Sequence, residues 1–185
     1  MANEVVKVTK QWIERFVIGL RLCPFAHFSF YNGTIYYEVQ NRNDRAIGLD
    51  ALLKMARVIR QKSEAELSNA FMIFDNDLSF MDLLDLKEKF DDIIENDNHE
   101  IPLQSVVFHP HFQFADEEFN AHGNFINRSP YGMIHILRAE EVARAIEATP
   151  NVEEIPFRNK ALLEQIGITN ISEVFEEDFV EKNRV

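Results

Sequence analysis

The chain of 185 residues has a single cysteine, Cys23, and few basic residues. One cysteine cannot form an intrachain disulfide, so a buried core and not a disulfide framework must stabilise the fold. Nineteen Lys and Arg residues stand against 31 Asp and Glu residues, which gives a formal net charge of -12. Because this charge repels phosphate backbones and anionic lipid surfaces, we expect neither a nucleic-acid partner nor a membrane partner.

Long apolar runs and targeting signals are also missing from the sequence. No apolar stretch approaches the roughly 20 residues that cross a bilayer, and the N-terminus carries no basic and apolar leader with a cleavage signal. We therefore expect a cytoplasmic protein. None of the strongly diagnostic catalytic motifs occurs, so the sequence identifies no reaction class and no cofactor, and it leaves the oligomeric state open.

The sequence does contain enough apolar material for one well-buried core. Hydrophobic residues make up 46% of the chain and charged residues 27%, which is typical of a globular domain. No repeat, low-complexity tract or Pro- or Ser-rich linker divides the chain. We predict a single domain over residues 1–185, with a frayed acidic tail at residues 176–185.

Hydrophobic periodicity predicts both helices and strands. Predicted helices cover residues 4–22, 47–59, 80–94, 139–148, 159–166 and 171–179, with Pro24 ending the first and with Pro150 and Pro156 framing a turn region. Predicted strands cover residues 34–39, 70–74, 103–109 and 133–137. This order predicts an α+β fold: a mixed four-stranded sheet with packed helices, in a ferredoxin-like or split arrangement.

The connection between the third and fourth predicted strands, residues 110–132, concentrates the most unusual residues of the chain. Connections of about twenty residues inside a compact domain are uncommon and are often functional. This one begins with Phe108-His109-Pro110-His111-Phe112-Gln113-Phe114 and ends with Asn127-Arg128-Ser129-Pro130-Tyr131. We predict that it is a functional loop.

His109 and His111 occupy alternate positions, which project to the same side of an extended segment. An imidazole can bind a metal or carry a proton near neutral pH. A metal site needs three or four ligands, however, and no recognised ligand spacing supports the scattered candidates Asp116, Glu117, Glu118, His122 and His135. Ordinary hydrogen-bonded histidines are the favoured interpretation, and no metal site is predicted.

The segment from Asn127 to Tyr131 offers a planar cation, an amide and a hydroxyl next to a rigid proline. Such a set can hold a carboxylate or a phosphate group. An equally weighted alternative is that Asn127 and Arg128 brace the long connection by bonding its backbone carbonyls.

Cys23 precedes Pro24, which favours a helical turn starting there. A thiol at the beginning of such a turn would have a lowered pKa and could act as a nucleophile. The flanking apolar residues Leu22 and Phe25 favour the alternative, an inert thiol in the core.

Three motifs in the same order resemble a bacterial and plastid family called domain of unknown function 1415. They are Leu22-Cys23-Pro24-Phe25-Ala26, Phe108-His109-Pro110 with Phe112-Gln113-Phe114, and Asn127-Arg128-Ser129-Pro130-Tyr131 running on to His135-Ile136-Leu137-Arg138. The resemblance covers nearly the whole chain and implies a soluble single-domain protein without an assigned reaction. It marks as motif residues Arg21, Cys23, Pro24, His109, Pro110, Gln113, Asn124, Asn127, Arg128, Ser129, Tyr131 and His135. Gly132 stands where the third motif of the family ends in proline.

The leading hypothesis is a site for an anionic small molecule, in an enzyme or in a binding protein. Arg21 and Arg128 would hold the anionic group, and His109, or less favourably Cys23, would act as the catalytic group. The other predicted ligand-binding residues are Gln113, Asn124, Asn127, Ser129, Tyr131 and His135.

The competing hypothesis is a non-catalytic protein-binding or scaffold module. In that case the aromatic residues of the long connection, Phe112, Phe114 and Phe125, would form a contact surface for a protein partner.

Overall fold

A computed structural model describes residues 2–41, 45–75 and 78–174. The helices are α1 (Ala2–Trp12), α2 (Ala26–Tyr31), α3 (Arg45–Gln61), α4 (Phe80–Asn96), α5 (Ala139–Glu147) and α6 (Ile155–Val174). A π-helical segment, Ile13–Ile18, continues α1, and short 3-10 helices cover His122–Ile126 and Val152–Glu154. The strands are β1 (Ile35–Gln40), β2 (Asn69–Phe74), β3 (Leu103–Phe108) and β4 (Gly132–Arg138).

The four strands form one mixed sheet in the order β1-β2-β4-β3. β1 and β2 are parallel, whereas β4 is antiparallel to both of its neighbours. β2 and β3 therefore run in the same direction, are connected through α4, and have β4 between them. This is a split β-α-β unit, so the predicted mixed α+β sheet is confirmed. A ferredoxin-like sheet pairs its neighbouring strands antiparallel, and the parallel β1–β2 pair fits the split alternative instead.

Helices cover both faces of the sheet. All six residues of β2 are buried, as expected for a central strand that is covered on both sides. On one face, Met72 of β2 packs in a cluster with apolar residues of α3 and α4. On the other face, Phe71 and Ile73 pack with residues of α1, the π-helical segment and α6.

α4 shows why the periodic segments fold as predicted. The side chain of Ser79 accepts a hydrogen bond from the backbone N–H of Asp82 and caps the helix. Apolar residues then recur at helical spacing on the buried face: Leu83, Leu86, Phe90 and Ile94. The predicted helix over residues 80–94 is therefore confirmed, and it extends to Asn96.

The first helix ends earlier than predicted. Leu22 N–H bonds to the carbonyl of Val17 and Arg21 N–H to that of Ile18, which closes the helix before Pro24 is reached. Arg21 has a positive φ of 55° at this closure. The prediction that Pro24 stops the helix was thus wrong, because a backbone turn does so first.

One further element differs from the prediction. The short helix α2 was not predicted, because its aromatic residues occur on more than one side of the helix and give no clear period. The two helices predicted at 159–166 and from 171 onward are confirmed within α6, where Gly167 has a non-helical φ of 76° and ψ of 154° and separates two helices. Pro156 lies in the first turn of α6, where a missing N–H costs nothing. The prediction for residues beyond 174, including the tail at 176–185, falls outside the described residues.

None of the helices within the described residues combines enough length and apolar character to traverse a bilayer.

Candidate functional site

Asn124 organises the long connection between β3 and β4. This residue is fully buried, and its side-chain Oδ1 accepts the N–H of Phe114 at 2.9 Å. Its Nδ2 donates to the carbonyls of Glu118 at 2.8 Å and Phe119 at 3.1 Å. Because a buried amide is costly unless it is hydrogen-bonded, these three bonds fix the loop around one side chain.

The guanidinium of Arg128 lies inside the same loop. Arg128 is only 7% exposed, and its Nε donates to the carbonyl of Phe112 at 3.2 Å. Nη2 donates to the carbonyl of Phe119. The rings of Phe119 and Phe125 each lie 4.6 Å from the guanidinium carbon, so the cation is held between two aromatic faces.

No acidic side chain neutralises Arg128 in the part of the chain that the structure describes. Burial lowers its pKa, and no carboxylate acts against that effect. Within residues 2–41, 45–75 and 78–174 the third guanidinium nitrogen, Nη1, bonds to no protein atom. Arg128 is therefore a buried cation with one nitrogen still able to donate.

His109 is buried and uses both of its ring nitrogens. Nδ1 accepts the backbone N–H of His111 at 3.0 Å, so the proton is assigned to Nε2, which donates to the carbonyl of Leu78 at 3.0 Å. Burial, and to a smaller extent the charge of His111, lowers the pKa of His109, against the effect of the Leu78 bond. The imidazole is therefore neutral at neutral pH and is fixed between two backbone groups.

His111 and Phe119 form the exposed part of the site. Their rings stack at a centroid distance of 6.2 Å with an interplanar angle of 29°. Phe119 is 45% exposed and lies on the outer face of Arg128. We name the series His111, Phe119, Arg128 and Phe125 the loop stack; its outer end faces solvent and its inner end, Phe125, is buried.

The remaining polar residues of the loop mostly bond to backbone groups. Asn127 Nδ2 donates to the carbonyl of Val107 in β3, and the Asn127 carbonyl accepts the N–H of His109. Gln113 donates to the carbonyl of Glu117, and Ser129 donates to that of Tyr131. These contacts agree with the predicted bracing role of the motif, which Arg128 shares through two of its three nitrogens.

His135 lies in the sheet and not in the loop. It is a residue of β4, and its Nε2 donates to Oδ1 of Asn69 at 2.8 Å. Asn69 in turn donates to Ser68 Oγ at 2.7 Å, and Ser68 Oγ lies 3.0 Å from Ser29 Oγ. Burial lowers the pKa of His135 to about 3, so the ring is a neutral part of a buried polar network.

That polar network was not found from the sequence. Ser29 and Ser68 are single hydroxyl residues outside any motif, and nothing in their spacing connects them. The one available signal was Asn69, a polar residue that begins an otherwise apolar strand.

Arg21 belongs to a turn that α6 holds in place. Arg158 Nη2 donates to the carbonyl of Arg21, and Asn159 Nδ2 donates to that of Leu22 at 2.7 Å. Lys160, next along α6, pairs with Glu117 of the loop. α6 thus contacts both predicted site regions, but within the described residues no hydrogen bond, ion pair or ring contact joins Arg21 to Arg128.

Cys23 is partly buried at the beginning of α2. The backbone N–H groups of Phe25 and Ala26 reach its sulfur and lower the thiol pKa, but burial has the larger effect and the pKa is raised overall. The net direction is opposite to the predicted one, because desolvation outweighs the short helical turn. The thiol is protonated at neutral pH.

The aromatic contact surface predicted for the alternative function is not exposed. Phe112 and Phe125 are 7% and 8% exposed and belong to the cores on the two faces of the sheet. Phe114 packs against the first of these cores. That prediction was wrong because these rings fill space between the loop and the sheet, and only Phe119 extends outward.

No group of three or more His, Cys, Asp or Glu residues that could hold a metal ion occurs within the described ranges.

The family model described as "Protein of unknown function (DUF1415)" matches residues 4–173. No curated protein and no solved structure matches the chain.

Proposed function

The chain belongs to the DUF1415 family of proteins of unknown function, and because the family supplies no activity we propose a function from geometry: binding of a small anionic molecule. The carboxylate or phosphate group of the ligand would accept hydrogen bonds from Nη1 of Arg128. The proposed binding site is therefore the loop stack.

The observation that carries the proposal is the uncompensated charge of Arg128. A buried cation is costly unless it is paired, and the two carbonyls and two ring faces around this one carry no full negative charge. An anion at the free edge would supply the missing charge. Its bonds would be charge-assisted, which makes them stronger than bonds between neutral groups.

The loop stack also supports selective recognition. The guanidinium plane is already fixed by two hydrogen bonds and two rings, so a ligand would not have to order it. The exposed imidazole of His111 stacks on the Phe119 ring and offers a second polar group at the surface.

The proposal does not include proton transfer. Both nitrogens of His109 are engaged, so a catalytic role would require this ring to give up its bond to Leu78 or to His111. A neutral thiol at Cys23 is likewise a poor nucleophile.

The test is a panel of anions measured by thermal shift and isothermal titration calorimetry: inorganic phosphate, pyrophosphate, succinate and citrate. A ligand that binds only the native state raises the unfolding midpoint with concentration. At least one anion should stabilise the wild type, Arg128→Gln should abolish the shift, and Arg128→Lys should reduce it because the planar donor set is lost.

Arg138→Gln is the matched control. Arg138 is also 7% exposed, and its guanidinium bonds to the carbonyls of Ile59, Lys62 and Leu67. Unlike Arg128 it has an acidic neighbour, because its charge acts on Glu141. Arg138→Gln should lower stability yet keep the anion-dependent shift. The proposal fails if no anion stabilises the wild type or if Arg128→Gln responds as the wild type does.

A further inference from the structure

Arg21 occupies a backbone position that glycine would fill at lower cost. It ends the π-helical segment with a φ of 55°, and the paired bonds Leu22 N–H to Val17 and Arg21 N–H to Ile18 form the closing motif in which glycine is usual. A side chain other than Asn or Asp is strained in this conformation.

The side chain of Arg21 does not offset that strain through contacts of its own. It is exposed, and none of the described residues forms a hydrogen bond or ion pair with its guanidinium. Strain that the fold does not need is a reason to look for a function of the side chain.

The guanidinium of Arg158 is fixed beside the backbone of Arg21. Arg158 donates from Nη2 to the carbonyl of Arg21, and its Nε and Nη2 donate to Oδ1 of Asn159 at 3.3 and 2.8 Å. No carboxylate lies within 4 Å of either guanidinium in the described parts of the chain. Two arginine residues in contact through the Arg21 carbonyl, both without an acidic partner there, are unusual in a chain with a formal net charge of -12.

Two exposed apolar residues lie close in sequence to the two arginines. Phe157 precedes Arg158 in the first turn of α6 and is 78% exposed. Pro24, on the turn that follows Arg21, is exposed as well. An exposed aromatic residue next in sequence to one of two contacting arginines suits a ligand that has both a doubly charged anionic group and an apolar part.

We propose that Arg21 and Arg158 bind the phosphate group of a phosphate monoester whose organic part packs on Phe157. Guanidinium groups match the geometry of phosphate oxygens, and two of them suit its double negative charge. This site is distinct from the loop stack, and the proposal does not depend on anion binding at Arg128.

Phenyl phosphate is the probe, because it combines a phosphate monoester with an aromatic ring. Its affinity is measured by calorimetry, and its location by backbone amide shifts in nuclear magnetic resonance spectra. The wild type should bind it with shifts near residues 21–24 and 157–159. Phe157→Ala should weaken phenyl phosphate binding more than it weakens binding of inorganic phosphate.

Arg21→Gly separates function from stability. Relief of the positive φ should raise the unfolding midpoint by about 2–4 °C, while loss of one cation should weaken phenyl phosphate binding by about fivefold or more. Arg158→Gln should weaken binding to a similar degree. Arg57→Gln removes one exposed arginine from α3, on the other face of the sheet, and should leave the affinity unchanged.

Opposite movements of stability and affinity in Arg21→Gly cannot come from unfolding. The inference is overturned if the wild type does not bind phenyl phosphate, or if Arg21→Gly binds it as tightly as the wild type does. It is also overturned if Arg128→Gln alone abolishes binding, since the probe would then occupy the loop stack.

Discussion

The imidazole of His135 stacks on the ring of Phe71, with centroids 3.9 Å apart and planes only 7° from parallel. Its Nε2 donates to Asn69 Oδ1 at 2.8 Å, and burial lowers its pKa to about 3. The pair therefore depends on a neutral ring: protonation would place a charge inside the sheet face that packs against α1.

The free energy of unfolding should decrease as the pH decreases, because of His135. Its folded pKa of about 3 lies below the unfolded value, so the unfolded chain binds the proton first as the pH decreases. The stabilisation is complete above about pH 6.5 and is lost progressively as the pH falls towards 3. His135→Phe keeps the stacking and removes the titration, so its urea unfolding free energy should depend less steeply on pH in that interval.

His27→Gln is a suitable control for this measurement, because His27 is exposed on α2. It should retain the wild-type slope. Equal slopes for His135→Phe and the wild type would contradict the assignment of His135 as a neutral buried group. His109, whose pKa is also lowered, contributes in the same direction and remains in both variants.

Replacing Asn124 should release the long connection. Asn124→Ala removes three hydrogen bonds of a fully buried side chain and leaves the backbone N–H of Phe114 without its acceptor, which should cost about 2–4 kcal/mol of unfolding free energy. Limited proteolysis should then cleave within residues 109–131. Asn120→Ala changes an exposed amide of the same loop and should resist the protease as the wild type does.

The thiol of Cys23 should react slowly. Because burial raises its pKa overall, alkylation by iodoacetamide at pH 7 should be slower in the native protein than in the urea-unfolded chain, and the native rate should still rise beyond the pH at which an ordinary thiol is fully ionised. Mass spectrometry gives both rates. A native rate above the unfolded one would restore Cys23 as a candidate nucleophile.

Gly132 should not tolerate a methyl group. A Cβ there would lie 3.2 Å from Cδ2 of His109 and 3.4 Å from Leu83, and His109 cannot yield easily because both of its nitrogens are bonded. Gly132→Ala should lower the unfolding free energy by about 1 kcal/mol and shift the amide resonance of His111. In Gly123→Ala the nearest atom is 3.7 Å away, so this buried control should be nearly neutral.

Periodicity was sufficient to predict the sheet and its main helices, because core residues repeat at the spacing of each element. Leu83, Leu86 and Phe90 illustrate this, since their spacing follows the buried face of α4. The π-helical continuation and α2 were not predictable in this way, since hydrophobic spacing does not report a bulged helix or a six-residue turn.

The candidate site was located from its polar residues, but their partners could not be. Arg128 and His109 bond to carbonyls of Phe112, Phe119 and Leu78, and a carbonyl has no sequence signature. The same limit applies to Arg21: its residue type suggested a ligand, whereas its contact with Arg158 joins it to a residue 137 positions away.

The position of β4 between β2 and β3 has a consequence for biosynthesis. As the chain leaves the ribosome, β1 and β2 can pair early, but β3 has no neighbouring strand until residues 132–138 have emerged. The inner edge of β2, which is fully covered in the finished fold, is open during that interval, and open apolar edges favour aggregation. Nascent or truncated chains that end before β4 should therefore require chaperones to stay in solution.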